Sequence, residues 1–322
     1  MSVKFGVFVP QGWRLDLNEI ADPVEQYEAM TTVARVADEG GWDSIWVYDH
    51  FHTVPTTELA TTFECWTITA TLARDTSRVR VGQMVTCNGY RNPALLAKIA
   101  STVDVASHGR LNMGIGAGWK EDEWLAYGYG FPDAPERLAM LSESVEIIHR
   151  MWTEDYPVFH GKHYSIDRAV NCPKGVQQPH PPLWIGGGGE KVTLRIVAKW
   201  ADACNFGYGD PEVLKHKLGV LREHCDRQGT DFARIIKSTS IRLHLVDNEA
   251  NADRETAAAR GNESLEEYRK QVLVATTDQV VERLHELVEV GADYFIFYLP
   301  RLAYDQEPMR RFAREIIPKF AG

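Results

Sequence analysis

The sequence has few cysteines, no long apolar run and no export signal. Its 322 residues include five cysteines, which stand far apart and form no CxxC pair. An odd number of cysteines without an export signal is typical of a protein kept reduced, so we expect a cytoplasmic chain. No stretch approaches the roughly 20 apolar residues of a membrane span. The first residues also lack the apolar run and cleavage pattern of a signal peptide, and we therefore expect no membrane contact.

Positive charge is also scarce. The chain has 35 lysines and arginines against 45 aspartates and glutamates, a net charge of −10. Proteins that follow the phosphates of a nucleic acid normally present a basic surface, so this balance argues against a nucleic-acid partner. An anionic small molecule needs only a local site, and the overall charge therefore leaves that class of ligand open.

The length fits either two domains or one enlarged (β/α)₈ barrel. Apolar strand-like runs alternate with helical patterns along the whole chain, without a linker, and no GxGxxG follows the first strand as a dinucleotide-binding fold would require. We therefore predict an α/β protein, a single (β/α)₈ TIM barrel over residues 1–322, with insertions at about 49–62, 155–181 and 248–275. The second insertion should contain a hairpin at 157–167. The predicted strands are 4–10, 43–48, 79–86, 110–115, 182–185, 202–206, 236–246 and 293–299.

The active site of such a barrel lies at the carboxyl ends of its strands, and the second strand ends in Asp49 and His50. An imidazole there can exchange a proton or bond to a cofactor ring. The alternative is a buried histidine whose only task is to pair with a neighbouring carboxylate. Asp49, His50 and His52 could also suggest a metal, but no third ligand group accompanies them, and we expect no metal site.

Two other strand ends are rich in glycine. The fifth strand runs into Gly186, Gly187, Gly188 and Gly189, followed by a predicted helix from about Glu190. Glycines at a helix N-terminus can turn their N–H groups towards a phosphate, to which Lys191 and Arg195 could add charge. The alternative is a tight turn that needs glycine for packing. The fourth strand ends in Gly116, Ala117 and Gly118 beside Trp119, which would let a flat ring approach the backbone.

Taken together, these segments resemble a known family. The segments that carry the likeness are SIWVYDHFH (44–52), YRNP (90–93), GRLNMGIGAGW (109–119) and PLWIGGG (182–188). The chain resembles the bacterial luciferase-like superfamily, and its coenzyme F420-dependent oxidoreductases more than the luciferases. The resemblance implies a TIM barrel that holds a tricyclic cofactor at the strand tops, and it also implies a homodimer.

The resemblance further implies roles for individual residues. His50 would be the catalytic acid or base, with Asp49 contacting the cofactor. A non-proline cis peptide would join Met84 and Val85, so that these residues and Thr86 back the cofactor ring. Gly116, Ala117 and Gly118 would line the cofactor, and the four glycines from Gly186 to Gly189 would bind its phosphate.

The sequence departs from the sugar-phosphate dehydrogenases of this family at two positions. Trp119 stands where they have a catalytic glutamate, and Val54 stands where they have a tryptophan. We therefore do not expect glucose-6-phosphate dehydrogenase activity. A more apolar substrate pocket is predicted instead, formed by Trp13, Phe51, Trp119 and Tyr127.

The function implied is hydride transfer between coenzyme F420 and an unidentified small organic substrate. A deazaflavin lacks N5 and does not readily activate oxygen, which favours a dehydrogenase or reductase. The first alternative is a monooxygenase that uses reduced FMN and oxygen. The second is a flavin-binding protein without catalytic activity.

Overall fold

Eight parallel strands close into a barrel in the computed structural model, which describes residues 3–207 and 209–320. Their order around the barrel is β1-β2-β3-β5-β8-β9-β10-β12, and β12 pairs with β1 to close it. The predicted TIM barrel is confirmed. Short strands extend or flank it. The strands are β1 Lys4–Phe8, β2 Ser44–Val47, β3 Arg80–Gln83, β4 Thr86–Cys87, β5 Leu111–Gly116, β6 Val158–His160, β7 Ser165–Asp167, β8 Leu183–Gly186, β9 Ala203–Phe206, β10 Ile236–Leu245, β11 Leu273–Ala275 and β12 Tyr294–Tyr298.

Helices cover the outside of the barrel, and several begin at the residues that the sequence marks. Pro23 opens α1, and the Asp22 side chain accepts hydrogen bonds from two N–H groups of its first turn. Among the described residues, no helix is long and apolar enough to cross a membrane. The helices are α1 Pro23–Glu39, α2 Cys65–Asp75, α3 Pro93–Ala106, α4 Glu121–Ala126, α5 Ala134–Thr153, α6 Thr193–Trp200, α7 Pro211–Gln228, α8 Ala252–Arg260, α9 Leu265–Arg269, α10 Thr277–Glu289 and α11 Glu307–Glu315.

The structure differs from the sequence prediction in one predicted strand and in two short elements. The third predicted strand, 79–86, is interrupted by a cis peptide between Met84 and Val85, which leaves β3 and β4 as separate pieces. The third insertion holds two helices, because Gly261 adopts a positive φ and separates α8 from α9. Strand β11, which pairs with β10, and helix α4 were not predicted. The hairpin in the second insertion is confirmed as β6 and β7.

The barrel interior is packed with aromatic side chains. Trp46 and Trp184 contact each other edge to face, with ring centroids 4.8 Å apart, and both contact Tyr294. These rings, with Phe8 and Met84, form a cluster separate from the larger core between barrel and helices. The interior is therefore filled, as small barrels require, and a ligand is expected to lie above it, at the strand ends.

Gly114 in β5 offers a test of how tightly the interrupted third strand packs against its neighbour. A Cβ atom on Gly114 would lie 1.8 Å from the carbonyl oxygen of Gln83, a backbone atom that cannot rotate away. We expect Gly114→Ala to lower the free energy of unfolding by about 1–3 kcal/mol, the usual cost of overpacking. Gly219→Ala is the control, because Gly219 lies in α7 with open space around it. That change should stabilise the protein by up to about 1 kcal/mol. Urea unfolding measures both variants, and a neutral Gly114→Ala would contradict the packing described.

Candidate active site

A cavity of about 450 Å³ opens at the carboxyl ends of the barrel strands. Its volume lies in the range of small-molecule and cofactor sites. Most of the predicted site residues meet in its wall, although they come from five different strand ends. These are Trp13, Asp49, His50, Met84, Val85, Gly116, Ala117, Gly118, Trp119, Gly186 and Gly187.

Some predicted residues lie elsewhere. Phe51 and Tyr127 do not belong to the cavity wall that the described residues form; they stack on each other at 4.2 Å, and Phe51 also contacts Tyr90. Thr86 is buried in the sheet, where its hydroxyl accepts a hydrogen bond from the Trp66 indole. Gly188 and Gly189 also lie outside the wall. The sequence located strand ends correctly, but it could not show which side chains a loop turns inwards.

Val85 lies in the short bulge that interrupts the third barrel strand, between β3 and β4. It follows the cis peptide that the family resemblance implied at Met84–Val85, and this prediction is confirmed. A Cβ atom on Gly116 or on Gly186 would lie 2.7 Å from a Val85 methyl group. These two glycines are therefore needed to seat Val85 itself, in addition to any approach of a ligand.

His50 is held by a carboxylate that the sequence analysis missed. Its Nδ1 lies 2.8 Å from Oε2 of Glu123, which is fully buried. The imidazole stacks on Trp13 with centroids 4.2 Å apart and an interplanar angle of 6°, and Trp119 approaches it edge-on. Since an ionised carboxylate only accepts, Nδ1 carries a proton and the other nitrogen, Nε2, is left for chemistry in the cavity. Among the described residues, none bonds to that Nε2.

Glu123 is itself fixed from several directions. Oε1 accepts the backbone N–H groups of Phe51 and His52, and Oε2 accepts the Tyr90 hydroxyl. Burial raises the pKa of Glu123, but the bonds from His50, His52 and Tyr90 outweigh it and hold that pKa below its usual value. The carboxylate is therefore ionised and orients the imidazole. Glu123 and Trp124 are the buried residues of α4, and nothing in the acidic run 121–123 marked Glu123 as the buried one.

Asp49 is one half of a buried ion pair. Its two oxygens lie 2.6 and 3.0 Å from the two terminal nitrogens of Arg91, and Oδ2 also accepts the Cys87 N–H. Burial by itself would lower the pKa of Arg91. The charge and hydrogen bonds of Asp49 outweigh burial and raise this pKa above its usual value, so Arg91 stays charged. Burial and the charge of Asp49 raise the pKa of the Cys87 thiol to about 12, so this cavity residue is a neutral thiol and not a nucleophile.

Comparisons with known proteins agree with this geometry. The family model described as luciferase-like monooxygenase matches residues 3–271. The chain belongs to this luciferase-like family. An F420-dependent glucose-6-phosphate dehydrogenase of Amycolatopsis mediterranei is 26% identical over 312 residues, 88% of this chain and 91% of that protein. One from Kineococcus radiotolerans is 31% identical over 223 residues, 67% of this chain and 64% of that protein.

The fold of the luciferase-like family is also seen in a solved structure. An F420-dependent secondary alcohol dehydrogenase in complex with an F420-acetone adduct superimposes with a TM-score of 0.81, covering 100% of both chains at 20% identity. At that identity the likeness establishes the fold alone. The resemblance that the sequence motifs indicated is thus confirmed at the level of the family and its architecture.

In this luciferase-like barrel, the glycine-rich turn after β8 is built differently from the predicted phosphate cradle. Helix α6 begins at Thr193, not near Glu190, and Thr193 lines the cavity. The Gly187 N–H is already bonded to the Asn205 carbonyl, and a Cβ atom on Gly189 would lie 2.8 Å from the Thr193 hydroxyl. Packing thus explains part of the glycine run. Phosphate binding there stays a prediction, with Thr193 and Asn205 as polar groups that the sequence analysis missed.

His52 faces away from the cavity. Its Nδ1 lies 3.2 Å from a carboxylate oxygen of Asp122, at a partly exposed position. Among the described residues there is no group of three or more histidine, cysteine, aspartate or glutamate side chains placed to hold a metal. His50 and His52 therefore have separate carboxylate partners.

Asp16, in the loop after β1, gives a pH dependence that can be measured. Burial raises its pKa to about 6, against the opposing effects of the Gly12 N–H and the charge of Arg14. Between about pH 4 and pH 6 the folded state keeps this proton after the unfolded state has lost it, so stability falls as the pH rises. We expect the Asp16→Asn variant to gain stability relative to wild type across this window, with a constant difference above it. Urea unfolding at several pH values measures this. Asp226→Asn, at an exposed carboxylate, should show no such divergence.

Proposed function

We propose that this protein is an oxidoreductase that transfers a hydride between coenzyme F420 and a small organic substrate. The observation that carries the proposal is the cavity at the strand tops, where a carboxylate-anchored histidine and the Val85 bulge share one wall. The named relatives from Amycolatopsis mediterranei and Kineococcus radiotolerans are F420-dependent, which supports this cofactor over FMN.

The residues present suit a flat tricyclic ring. Val85, Met84 and Ala117 supply apolar surface, while Gly116 and Gly118 keep the facing backbone free of side chains. Thr193 and Asn205 supply polar groups at the side of the cavity near the glycine turn. We therefore assign ring binding to Met84, Val85, Gly116, Ala117 and Gly118, and phosphate binding to the turn after β8.

A bound deazaflavin would supply the hydride chemistry, and the protein would supply binding, orientation and a proton. His50 is placed to hold or accept a proton at Nε2, while Glu123 keeps its ring in the required orientation. Glu123 also stabilises the protonated imidazole, because its negative charge lies 2.8 Å from Nδ1. Trp13, which stacks on this imidazole, shields one of its faces from water, and the exposed Trp119 approaches it edge to face.

The substrate is proposed to differ from that of the glucose-6-phosphate dehydrogenases. Trp119 lies directly after the glycine turn, where a carboxylate was expected for that activity, and its indole stands beside His50. The two buried acids beside the cavity are already paired, Asp49 with Arg91 and Glu123 with His50, and Glu123 lies outside the cavity wall. We infer a substrate that presents an apolar face to Trp13 and Trp119.

We also propose that the protein works in the cytoplasm as a homodimer. All five of its cysteines are free thiols, four of them buried, which suits a reducing compartment. The dimer rests on the family resemblance. Light scattering on the purified protein tests it, and a monomer at micromolar concentration would contradict it.

Titration of the cofactor-free protein with F420 and, separately, with FMN tests the cofactor. We expect submicromolar binding of F420, followed by its fluorescence, and much weaker binding of FMN. The F420-loaded protein should then reduce the cofactor with members of a panel of alcohols. Rapid oxygen consumption with reduced FMN, coupled to oxygenation of a product, would contradict the proposal and favour a monooxygenase.

A further inference from the structure

Two arginines converge on one tyrosine ring at the mouth of the barrel. Arg14 lies in the loop after β1, and its Cζ is 4.5 Å from the centroid of the Trp13 ring and 5.1 Å from that of Tyr298. Arg242 lies opposite Tyr298 in the β10–β12 register, and its Cζ is 6.0 Å from the same Tyr298 centroid. Both guanidinium groups therefore occupy one small region where β1, β10 and β12 end.

Neither charge has a described carboxylate in direct contact, although Asp16 is near enough for the charge of Arg14 to lower its pKa. Among residues 3–207 and 209–320, no carboxylate lies within 4.0 Å of a nitrogen of either arginine. The Nε atoms of both are fully buried and have no hydrogen-bond partner. The Arg242 side chain donates one hydrogen bond, to the neutral amide of Gln271. Burial, followed by the charge of Arg14, lowers the pKa of Arg242.

Such an arrangement is costly without a ligand. A buried guanidinium Nε–H that lacks a hydrogen-bond partner has lost its hydration without compensation, and two like charges near one ring also repel each other. Stacking on Trp13 and Tyr298 offsets only part of this cost. A guanidinium is also the side chain best suited to bind a carboxylate or a phosphate through two parallel hydrogen bonds. The pair therefore has the chemistry of an anion site.

The position of the pair separates it from the cofactor side of the cavity. In the order of strands around the barrel, β12 lies opposite β5, whose glycines line the proposed ring site. Arg14 packs against Trp13 and lies 5.8 Å from the Tyr48 centroid, and both of these rings line the cavity. An anion held by the two arginines would thus lie beside the Trp13 and Tyr48 wall of the cavity, but across the mouth from the glycine turn.

We propose that Arg14 and Arg242 form an anion-binding subsite that takes a carboxylate or phosphate group of the organic substrate. The identification of the bound group as part of the substrate rests on the proposed function. The existence of the anion site does not, because it can be measured without cofactor. The substrate would then combine an anionic end at this subsite with an apolar portion at Trp13 and Trp119.

Calorimetry on the cofactor-free protein, with inorganic phosphate and with acetate as probes, tests the subsite. We expect one of the two probes to bind, and its identity distinguishes a phosphate from a carboxylate. Arg14→Gln and Arg242→Gln should each weaken that binding at least tenfold. Arg310→Gln is the matched control, because Arg310 is exposed and far along the chain in α11, and it should leave binding unchanged. Arg242→Lys keeps the positive charge but lacks the two parallel N–H donors of a guanidinium, and it should bind the probe with intermediate affinity. Thermal unfolding of this variant at the wild-type temperature shows that the fold is intact.

The same titration is then repeated on protein loaded with F420. Unchanged probe affinity supports a substrate subsite, whereas loss of the probe on loading would assign the arginines to the cofactor and overturn the proposal. Failure of wild type to bind either probe would also overturn it, as would binding that survives both glutamine changes. Failure of F420 to bind would contradict the proposed function alone, since the probe titration on cofactor-free protein is independent of it.

Discussion

The His50→Asn variant is expected to turn over substrate about 10²–10⁴-fold more slowly than wild type while it still binds F420. The side-chain N–H of asparagine lies at about the position of the histidine Nδ1–H. It can therefore donate the same hydrogen bond to Glu123, which in wild type spans 2.8 Å. It has no counterpart of Nε2, the nitrogen left for chemistry in the cavity. The variant therefore removes the proton donor or acceptor and keeps the anchor. Single-turnover reduction of bound F420 measures the chemical step apart from binding.

His52→Asn is the matched control for this variant. His52 belongs to the same segment, but it pairs with the partly exposed Asp122 and lies outside the cavity wall. We expect its turnover to stay within about threefold of wild type, since a surface pair contributes little. If His50→Asn retained full turnover, His50 would be a packing residue held by Glu123, which is the alternative that the sequence left open.

The sequence was sufficient to predict the barrel, because apolar strands and amphipathic helices carry their own periodicity. Seven of the eight predicted barrel strands appear with small changes at their ends. The remaining one, the third predicted strand, is interrupted at Met84–Val85. Local propensity contains no signal for that interruption. Only the family resemblance placed a cis peptide there, since the bulge depends on glycines at positions 116 and 186 of other strands.

The site was predicted only as far as it follows from strand ends. Asp49 and His50 are neighbours in sequence and both reach the cavity wall. Their partners, Arg91 and Glu123, stand 42 and 73 residues further along the chain, and a single sequence does not connect them. Phe51 and Tyr127 were assigned to the pocket by residue type, yet they pack against each other. Long-range pairing and side-chain direction are thus what the sequence left undetermined.

The Arg91→Met variant is expected to lose about 3–5 kcal/mol of unfolding free energy, the usual result of removing one partner of a buried ion pair. Asp49 is 2% exposed and would keep the Cys87 N–H as a partner while losing both bonds from Arg91. Methionine fills a similar volume, so the change isolates the charge from the packing. Urea unfolding at pH 7 measures the loss.

Arg301→Met is the control, because Arg301 makes the same two-bond contact with Glu19 at the surface, where the Glu19 side chain is 58% exposed. Solvent screens that pair, and its loss should cost about 0.2–1 kcal/mol. The double variant Asp49→Asn/Arg91→Met should recover part of the stability, because it leaves no fully buried uncompensated charge; Glu64, the second carboxylate that contacts Arg91, has a side chain that is 41% exposed. If Arg91→Met were as mild as Arg301→Met, the Asp49 carboxylate would have another source of stabilisation in the folded protein. Its burial beside the cavity would then no longer depend on the ion pair that fixes the end of β2.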